Sequence, residues 1–211
     1  MYVPRHFAAD DATTAELLAG AGAAHLVTAT ADGLVATRLP YVWAPEVGAR
    51  GALQAHVART NDQWRRPPVG EAMAIVHGPD AYVTPSWYAS KAEHGRVVPT
   101  WNYLTAHVYG RLVVHDDEDW LAAHVRALTD RFEAGRPGPW SVEDAPPHFV
   151  AGQLRAVVGL ELVVTRVEAK AKLSQNRSGA DRDGVAAGFD ASGDARMADA
   201  VRGAAGRKVG A

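Results

Sequence analysis

Apolar and polar residues alternate in short runs along most of this chain, and glycine, proline and aspartate separate the runs. His25 to Thr30 and Leu34 to Trp43 are two such runs, joined by Ala31-Asp32-Gly33, where Asp-Gly supplies the left-handed backbone that β-hairpins favour. Further strands are predicted over Ala52 to Ala58, Ala72 to His77, Ala81 to Thr84, Thr105 to Val114 and Leu160 to Val167, with Gly78-Pro79-Asp80 read as a turn. In the last of these, Leu162, Val164 and Val167 interleave with Glu161, Thr165 and Arg166 in a half-buried alternation. The period changes between Asp117 and Glu133, where Leu121, Val125, Leu128 and Phe132 form one apolar stripe of a helix. Asp116 to Asp119 crowd its start, where they complement the helix dipole. Shorter helices are predicted over Asp10 to Ala19, with Thr13 and Glu16 at capping-box spacing, and from Pro146 or Pro147 towards Arg155. Beyond Glu168 the chain turns polar, with a weak helical stretch around Ala195 to Arg202 and a disordered end expected. Short strands at even spacing, with helices inserted late, point to a mainly β small barrel with added helices rather than a parallel α/β sheet.

Composition narrows the chemistry. With 211 residues, 47% hydrophobic and 22% charged, the chain is in the range of one soluble domain with a sizeable core. It has no cysteine, which excludes a disulfide framework, a thiolate metal site and a thiol nucleophile. The start, Met1-Tyr2-Val3-Pro4-Arg5-His6, lacks the build of a secretory signal, and no apolar run is long enough to span a bilayer. A cytoplasmic protein without a membrane partner is expected. A net charge of −2 gives no general attraction to nucleic acid. None of the nine histidines is paired at i, i+4, so no metal is expected, although a site assembled in three dimensions stays open. Gly20-Ala21-Gly22-Ala23-Ala24-His25 lacks the third glycine of a dinucleotide fingerprint and precedes a strand. Walker loops, nucleophile elbows and His-Glu-x-x-His motifs are absent from the sequence.

Four stretches could carry chemistry. In Leu53 to Trp64 a strand ends in Arg59, and Thr60 and Gln63 have capping-box spacing. Free amides of a new helix start would then lie beside a guanidinium, a seat for a phosphate; the plainer reading is a capped helix with a solvated arginine. In Leu34 to Trp43, period two sends Thr37, Leu39 and Tyr41 to one face and Arg38 to the other, and Pro40 marks an edge or bulge. An irregular edge leaves backbone groups for a flat heteroaromatic ring, or the run is simply a core strand. Trp87, Tyr88, Trp101 and Tyr103 crowd a proline-bounded loop with Ser86, Lys91 and Asn102, and either line a pocket or cover the core or a subunit contact. Lys170 to Ser178 mixes amides and cations after a strand, as a solvated tail or as a closure over an anionic ligand.

Together with the opening Met-Tyr-Val-Pro-Arg-His-Phe, the segments His56-Val57-Ala58-Arg59-Thr60-Asn61, Pro85-Ser86-Trp87-Tyr88, Val98-Pro99-Thr100-Trp101-Asn102-Tyr103 and Lys172-Leu173-Ser174-Gln175-Asn176-Arg177 resemble the PaiB-type family of FMN-binding negative transcriptional regulators. The resemblance runs from Met1 to about Phe189. It implies a split β-barrel of the pyridoxamine phosphate oxidase and flavin reductase type over residues 1-189, with 190-211 as a C-terminal helix or tail. It also implies a homodimer with FMN near the subunit interface. Thr37, Arg38 and Leu39 would border the flavin, and His56, Arg59 and Asn61 would face the ribityl-phosphate. Lys91, Trp101, Asn102, Gln175 and Asn176 would come from the pocket wall or the partner subunit.

Three functions compete on this reading. A regulator is what the family name implies, although a negative net charge and the lack of an evident recognition helix speak against direct contact with DNA. An FMN-dependent oxidoreductase acting on a small substrate is the alternative, and a haem-binding barrel is a third.

Overall fold

The computed structural model describes residues 1–205, and the disordered end expected from the sequence lies outside them. Strands β1 (Ala23–Thr30), β2 (Gly33–Ala44), β3 (Ala52–Ala58), β4 (Ala72–Val83), β5 (Thr100–His115) and β6 (Val157–Lys172) close into a barrel in the order β1-β2-β3-β6-β5-β4. The helices are α1 (Asp11–Gly20), α2 (Ser90–His94), α3 (Glu118–Glu133), α4 (Pro147–Arg155), α5 (Gly179–Ala191) and α6 (Ala195–Ala205). The expected mainly β barrel with added helices is therefore what the chain forms. Two compact units make it up: residues 18–76 with 107–167, and residues 1–17 with 77–106 and 168–205.

The first unit is the barrel core. Period two turns Ala24 and Leu26 of β1, Leu39 and Tyr41 of β2, Leu53 and Ala55 of β3, and Leu160 and Leu162 of β6 to one interior. The predicted hairpin joins β1 to β2 with Thr30 opposite Gly33, and the left-handed residue is Gly33 alone, at φ 116°. Tyr41 is fully buried and donates its hydroxyl to Leu18 O at 2.7 Å. Burial holds its phenol well above the usual range, against the opposing pull of the Arg131 charge. α3 starts on Asp117, whose carboxylate accepts from Trp120 N at 2.8 Å, as the acidic run predicts. Its inward face differs from the predicted stripe. Leu121 and His124 are buried, whereas Phe132 is 41% exposed under the Arg131 guanidinium.

The second unit has its own apolar cluster. Val83, Tyr88, Leu173, Val185, Phe189, Met197 and Val201 are buried together, drawing on α5 and α6. α5 does not read as a helix in the sequence because Gly179, Gly184 and Gly188 interrupt it. The glycines have a packing reason: a Cβ on Gly188 would lie 2.3 Å from the Trp87 indole, and one on Gly184 would lie 2.1 Å from Trp87 O. Trp87 therefore lies directly on the α5 backbone and meets Phe189 edge-on at 4.9 Å.

Four local expectations change. Gly78-Pro79-Asp80 is not a turn but lies inside β4, which runs through it without a break. β5 starts at Thr100, so Trp101, Asn102 and Tyr103 are strand residues, and β6 runs through Lys170 to Lys172. α1 is capped by Asp10, which accepts from Thr13 N at 2.7 Å, rather than by a Thr13–Glu16 box. After β3 there is a single 3-10 turn, Asp62–Arg65, capped by Asn61 in place of the Thr60–Gln63 box.

Candidate functional site

β2 and β3 create the most distinctive feature of the barrel unit. Their pairing joins Tyr41–Ala44 to Ala52–Ala55, with Tyr41 opposite Ala55. Continued, the same register would set Leu39 opposite Val57 and Thr37 opposite Arg59. Among the described residues these pairs do not form; Gly33–Pro40 pairs with β1 and Ala52–Ala58 with β6. The two strands fork at Pro40, which has no N–H for a ladder, as its reading as an edge residue requires.

The chain after β3 folds back along the fork. Asn61 Oδ1 accepts from Gln63 N at 2.9 Å, and Asn61 Nδ2 donates to Thr37 Oγ1 at 3.1 Å. One side chain thus caps the 3-10 turn and ties it to β2. Gln63 is 1% exposed and donates Nε2 to Thr28 Oγ1 at 3.1 Å and Leu26 O at 3.2 Å, leaving Oε1 buried without a partner. Arg38, Arg65 and Arg66 are exposed around this region, and the Arg65 guanidinium lies 4.8 Å from the Trp64 ring centroid.

Arg59 is more committed than its sequence context implies. It donates Nη1 and Nη2 to the Asp116 carboxylate at 3.1 and 2.5 Å, Nε to Arg155 O at 2.7 Å and Nη2 to Val157 O at 3.0 Å. The Asp116 bond raises the guanidinium pKa and lowers that of the carboxylate. A guanidinium has five N–H donors, so one remains for a further acceptor.

His56, half-buried on β3, turns its Nδ1 to Nε2 of His124 at 3.0 Å. His124 is 3% exposed, and its own Nδ1 has no partner. Trp120, one helical turn earlier, stacks on His124 at 5.1 Å and on His115 at 4.1 Å with planes 3° apart. His115 Nε2 lies 3.3 Å from Glu161 Oε2, and Gln54 Nε2 donates to Glu161 Oε1 at 2.8 Å. Glu161 is thereby buried, where the alternation of the sequence had it facing water. The cluster fits because Gly159 stands opposite His56 on β6, and a Cβ there would lie 2.2 Å from the Trp120 ring. Burial lowers the pKa of both His56 and His124, the latter to about 4 with help from His56. No group of three or more His, Cys, Asp or Glu among the described residues is arranged to hold a metal ion.

The remaining sequence candidates belong to the other unit. Lys91 is exposed on α2 and donates to Ser86 Oγ at 3.1 Å. Trp101 is 48% exposed and donates Nε1 to Asp80 Oδ1 at 2.9 Å. Asn102 is fully buried and donates Nδ2 to Ser174 Oγ at 3.0 Å; Ser174 has a left-handed backbone at φ 66°. Gln175 folds back, accepting from Leu173 N at 2.7 Å and donating to Ala171 O at 2.5 Å, while Asn176 is exposed. Asn102 therefore fixes the Ser174 turn that carries Gln175 and Asn176.

Of the residues expected from the sequence, Thr37, Arg38, Leu39, His56, Arg59 and Asn61 lie at one end of β2 and β3. Sequence reasoning missed Gln63 as a buried group, His124, Trp120 and Glu161. A family model described as "Putative FMN-binding domain" matches residues 1–166. The chain belongs to this FMN-binding family. FMN, the cofactor expected from the motifs, is the one that the family's description carries. The PaiB-type resemblance is borne out as well: "Protease synthase and sporulation protein PAI 2" of Bacillus subtilis is 30% identical over 183 residues, covering 86% of this chain and 85% of that protein. An uncharacterized protein of Aspergillus fumigatus is 34% identical over 155 residues, which cover 66% of this chain and 59% of that protein's length. Among solved structures, the flavocytochrome Anf3 of Azotobacter vinelandii superposes with a TM-score of 0.57 at 18% identity, over 81% of this chain and 68% of that one. At that identity the likeness is one of fold, and it places this member of the FMN-binding family among the split β-barrels.

Proposed function

We propose that this protein binds FMN at the fork between β2 and β3, with Thr37, Arg38 and Leu39 along the flavin and His56, Arg59 and Asn61 on its ribityl-phosphate side. The observation that carries the reading is the fork itself: two strand segments in register that do not pair, bridged by Asn61, within the stretch matched by an FMN-binding family. An isoalloxazine ring is flat and carries both donors and acceptors, which suits unpaired strand edges. Gln63 Oε1, buried and without a partner, marks a place where the barrel's own polar groups do not fully satisfy one another. Arg38 supplies exposed positive charge for a phosphate, Arg65 and Arg66 share theirs with Asp62, and Arg59 adds its one remaining N–H. When bound, FMN supplies hydride or electron transfer, and these residues bind and orient it.

The regulatory role implied by the PaiB-type resemblance works, in this reading, through the flavin rather than through a DNA-reading helix. The net charge of −2 and the acidic start of α3 argue against a helix seated in a phosphate-lined groove. A homodimer accompanies the reading, since Tyr82, Val98 and Trp101 are 50, 64 and 48% exposed. No helix among the described residues is long and apolar enough to cross a membrane.

Purification followed by an absorption spectrum and mass spectrometry of the released cofactor tests the binding. A flavin spectrum with FMN released is expected, and failure to take up FMN from an excess refutes it. A mobility shift at low salt tests the regulatory part, because sequence-specific retardation of DNA by the protein alone would overturn the indirect mechanism.

A further inference from the structure

Two neutral histidine rings joined N to N share one proton in the bond, and each ring holds one donor and one acceptor. The bond between His56 Nδ1 and His124 Nε2 therefore has two forms. If His56 donates, the proton of His124 sits on Nδ1, the buried nitrogen without a partner. If His124 donates, that nitrogen carries only a lone pair. An orphaned buried N–H is rarer in folded proteins than an under-used acceptor, so the second form is favoured. Burial keeps both rings neutral near pH 7, which excludes a doubly protonated pair. The surroundings do not reverse the choice. Trp120 covers His124 with a ring face, and Glu161 and Asp117 lie against His115.

We propose that His124 is a positioning residue that holds His56 as the tautomer protonated on Nε2, making the Nε2 edge of His56 a hydrogen-bond donor for the phosphate of a ligand at the β2–β3 fork. The donor edge follows from the bond: with Nδ1 of His56 accepting from His124, its proton must be on Nε2. His56 is half-buried, so its ring is partly open to solvent. A donor suits a phosphate oxygen, whereas a lone pair would repel it. The identity of the ligand rests on the FMN reading above; the tautomer does not.

The experiment has two arms on the full chain. Long-range proton–nitrogen NMR spectra of the histidine rings read the tautomers directly, without any ligand. The expected result is Nε2–H for both His56 and His124. An Nδ1–H tautomer on His56 overturns the proposal whatever the protein binds. The second arm titrates FMN and riboflavin, which lacks the phosphate, into wild type, His124→Leu and His124→Gln. His124→Leu is expected to weaken FMN about tenfold, the scale of one hydrogen bond to a charged group, and to leave riboflavin unchanged. His124→Gln, whose amide can donate in place of the ring, is expected to restore most of the affinity. Equal losses for FMN and riboflavin overturn the proposal. If wild type takes up neither flavin, the FMN reading fails, and the tautomer spectra still decide the role of His124. Should His124→Leu not fold, the spectra of wild type and His124→Gln carry the test.

Discussion

Arg59 and Asp116 form a two-pronged ion pair, with Nη1 and Nη2 donating at 3.1 and 2.5 Å to opposite oxygens of one carboxylate. A phosphate arriving at Arg59 must therefore share the guanidinium with a resident anion. Asp116→Asn is expected to tighten FMN binding a few-fold, roughly the scale of one exposed charge contact. Arg59→Lys is expected to lower the thermal midpoint almost as much as Arg59→Ala, because a lysine cannot reproduce the fork that also holds Arg155 O and Val157 O. Fluorescence titration and melting curves measure the two effects separately, and an Asp116→Asn protein that binds FMN more weakly would remove Arg59 from the phosphate site.

Asn61 serves two partners at once, and Asn61→Ala removes both bonds. Loss of the cap is expected to cost about 1 kcal/mol in urea denaturation. Thr37→Val, which deletes the bond to β2 alone, should cost less stability yet weaken FMN as much as Asn61→Ala does. Equal affinity in Thr37→Val and wild type would show that the tie between turn and strand is not part of the site.

Acid should loosen the barrel unit. His124 titrates at about 4 in the folded protein against an ordinary 6.5, because burial and neighbouring His56 disfavour its charge. Between these values the unfolded chain binds more protons, so stability rises with pH through that window. The contribution of His124 is complete above about pH 6.5 and is lost progressively as the pH falls towards 4. At about 1.4 kcal/mol per pH unit the loss is on the order of 3 kcal/mol. Urea midpoints across the window should fall more steeply for wild type than for His124→Leu; parallel slopes would place the acid sensitivity elsewhere.

Two helix glycines should respond to alanine with opposite signs. A Cβ at Gly203 of α6 meets nothing within 4 Å, and Gly203→Ala is expected to stabilise by about 1 kcal/mol through helix propensity. At Gly188 the same change drives a methyl into the Trp87 indole, and overpacking of about 1–3 kcal/mol should outweigh that gain. Denaturant midpoints decide it, and stabilisation by Gly188→Ala would mean that Trp87 yields easily.

How much of this was legible depended on whether the cause was local. β3 was placed at both ends because its apolar alternation stops at an arginine, and α4 because a proline pair opens it. The strand containing Trp101, Asn102 and Tyr103 reads as loop in the sequence because prolines and aromatics crowd around it, yet Pro99 stands just outside the strand that Thr100 begins. α5 carries its apolar face on Val185 and Phe189 with small residues between, so its helicity depends on Trp87, far away in sequence. At the site, the candidate residues of β2 and β3 could be named, but their bonds could not. Arg59 finds Asp116 at a separation of 57 residues and His56 finds His124 at 68. His124 escaped notice because a periodicity built from apolar residues passes over a histidine on the same face.

The fork at Pro40 also has a bearing on solubility. Gly33–Pro40 is a strand with one flank unpaired by β3, and it carries Leu34 at 78% exposure near its tip. Where the Asn61 turn does not cover it, such a seam is a template for a strand from another molecule, the starting geometry of edge-to-edge aggregation. A cofactor lying along the seam would cover it as a third strand would, so loading with flavin should keep concentrated solutions clear for longer than stripping it.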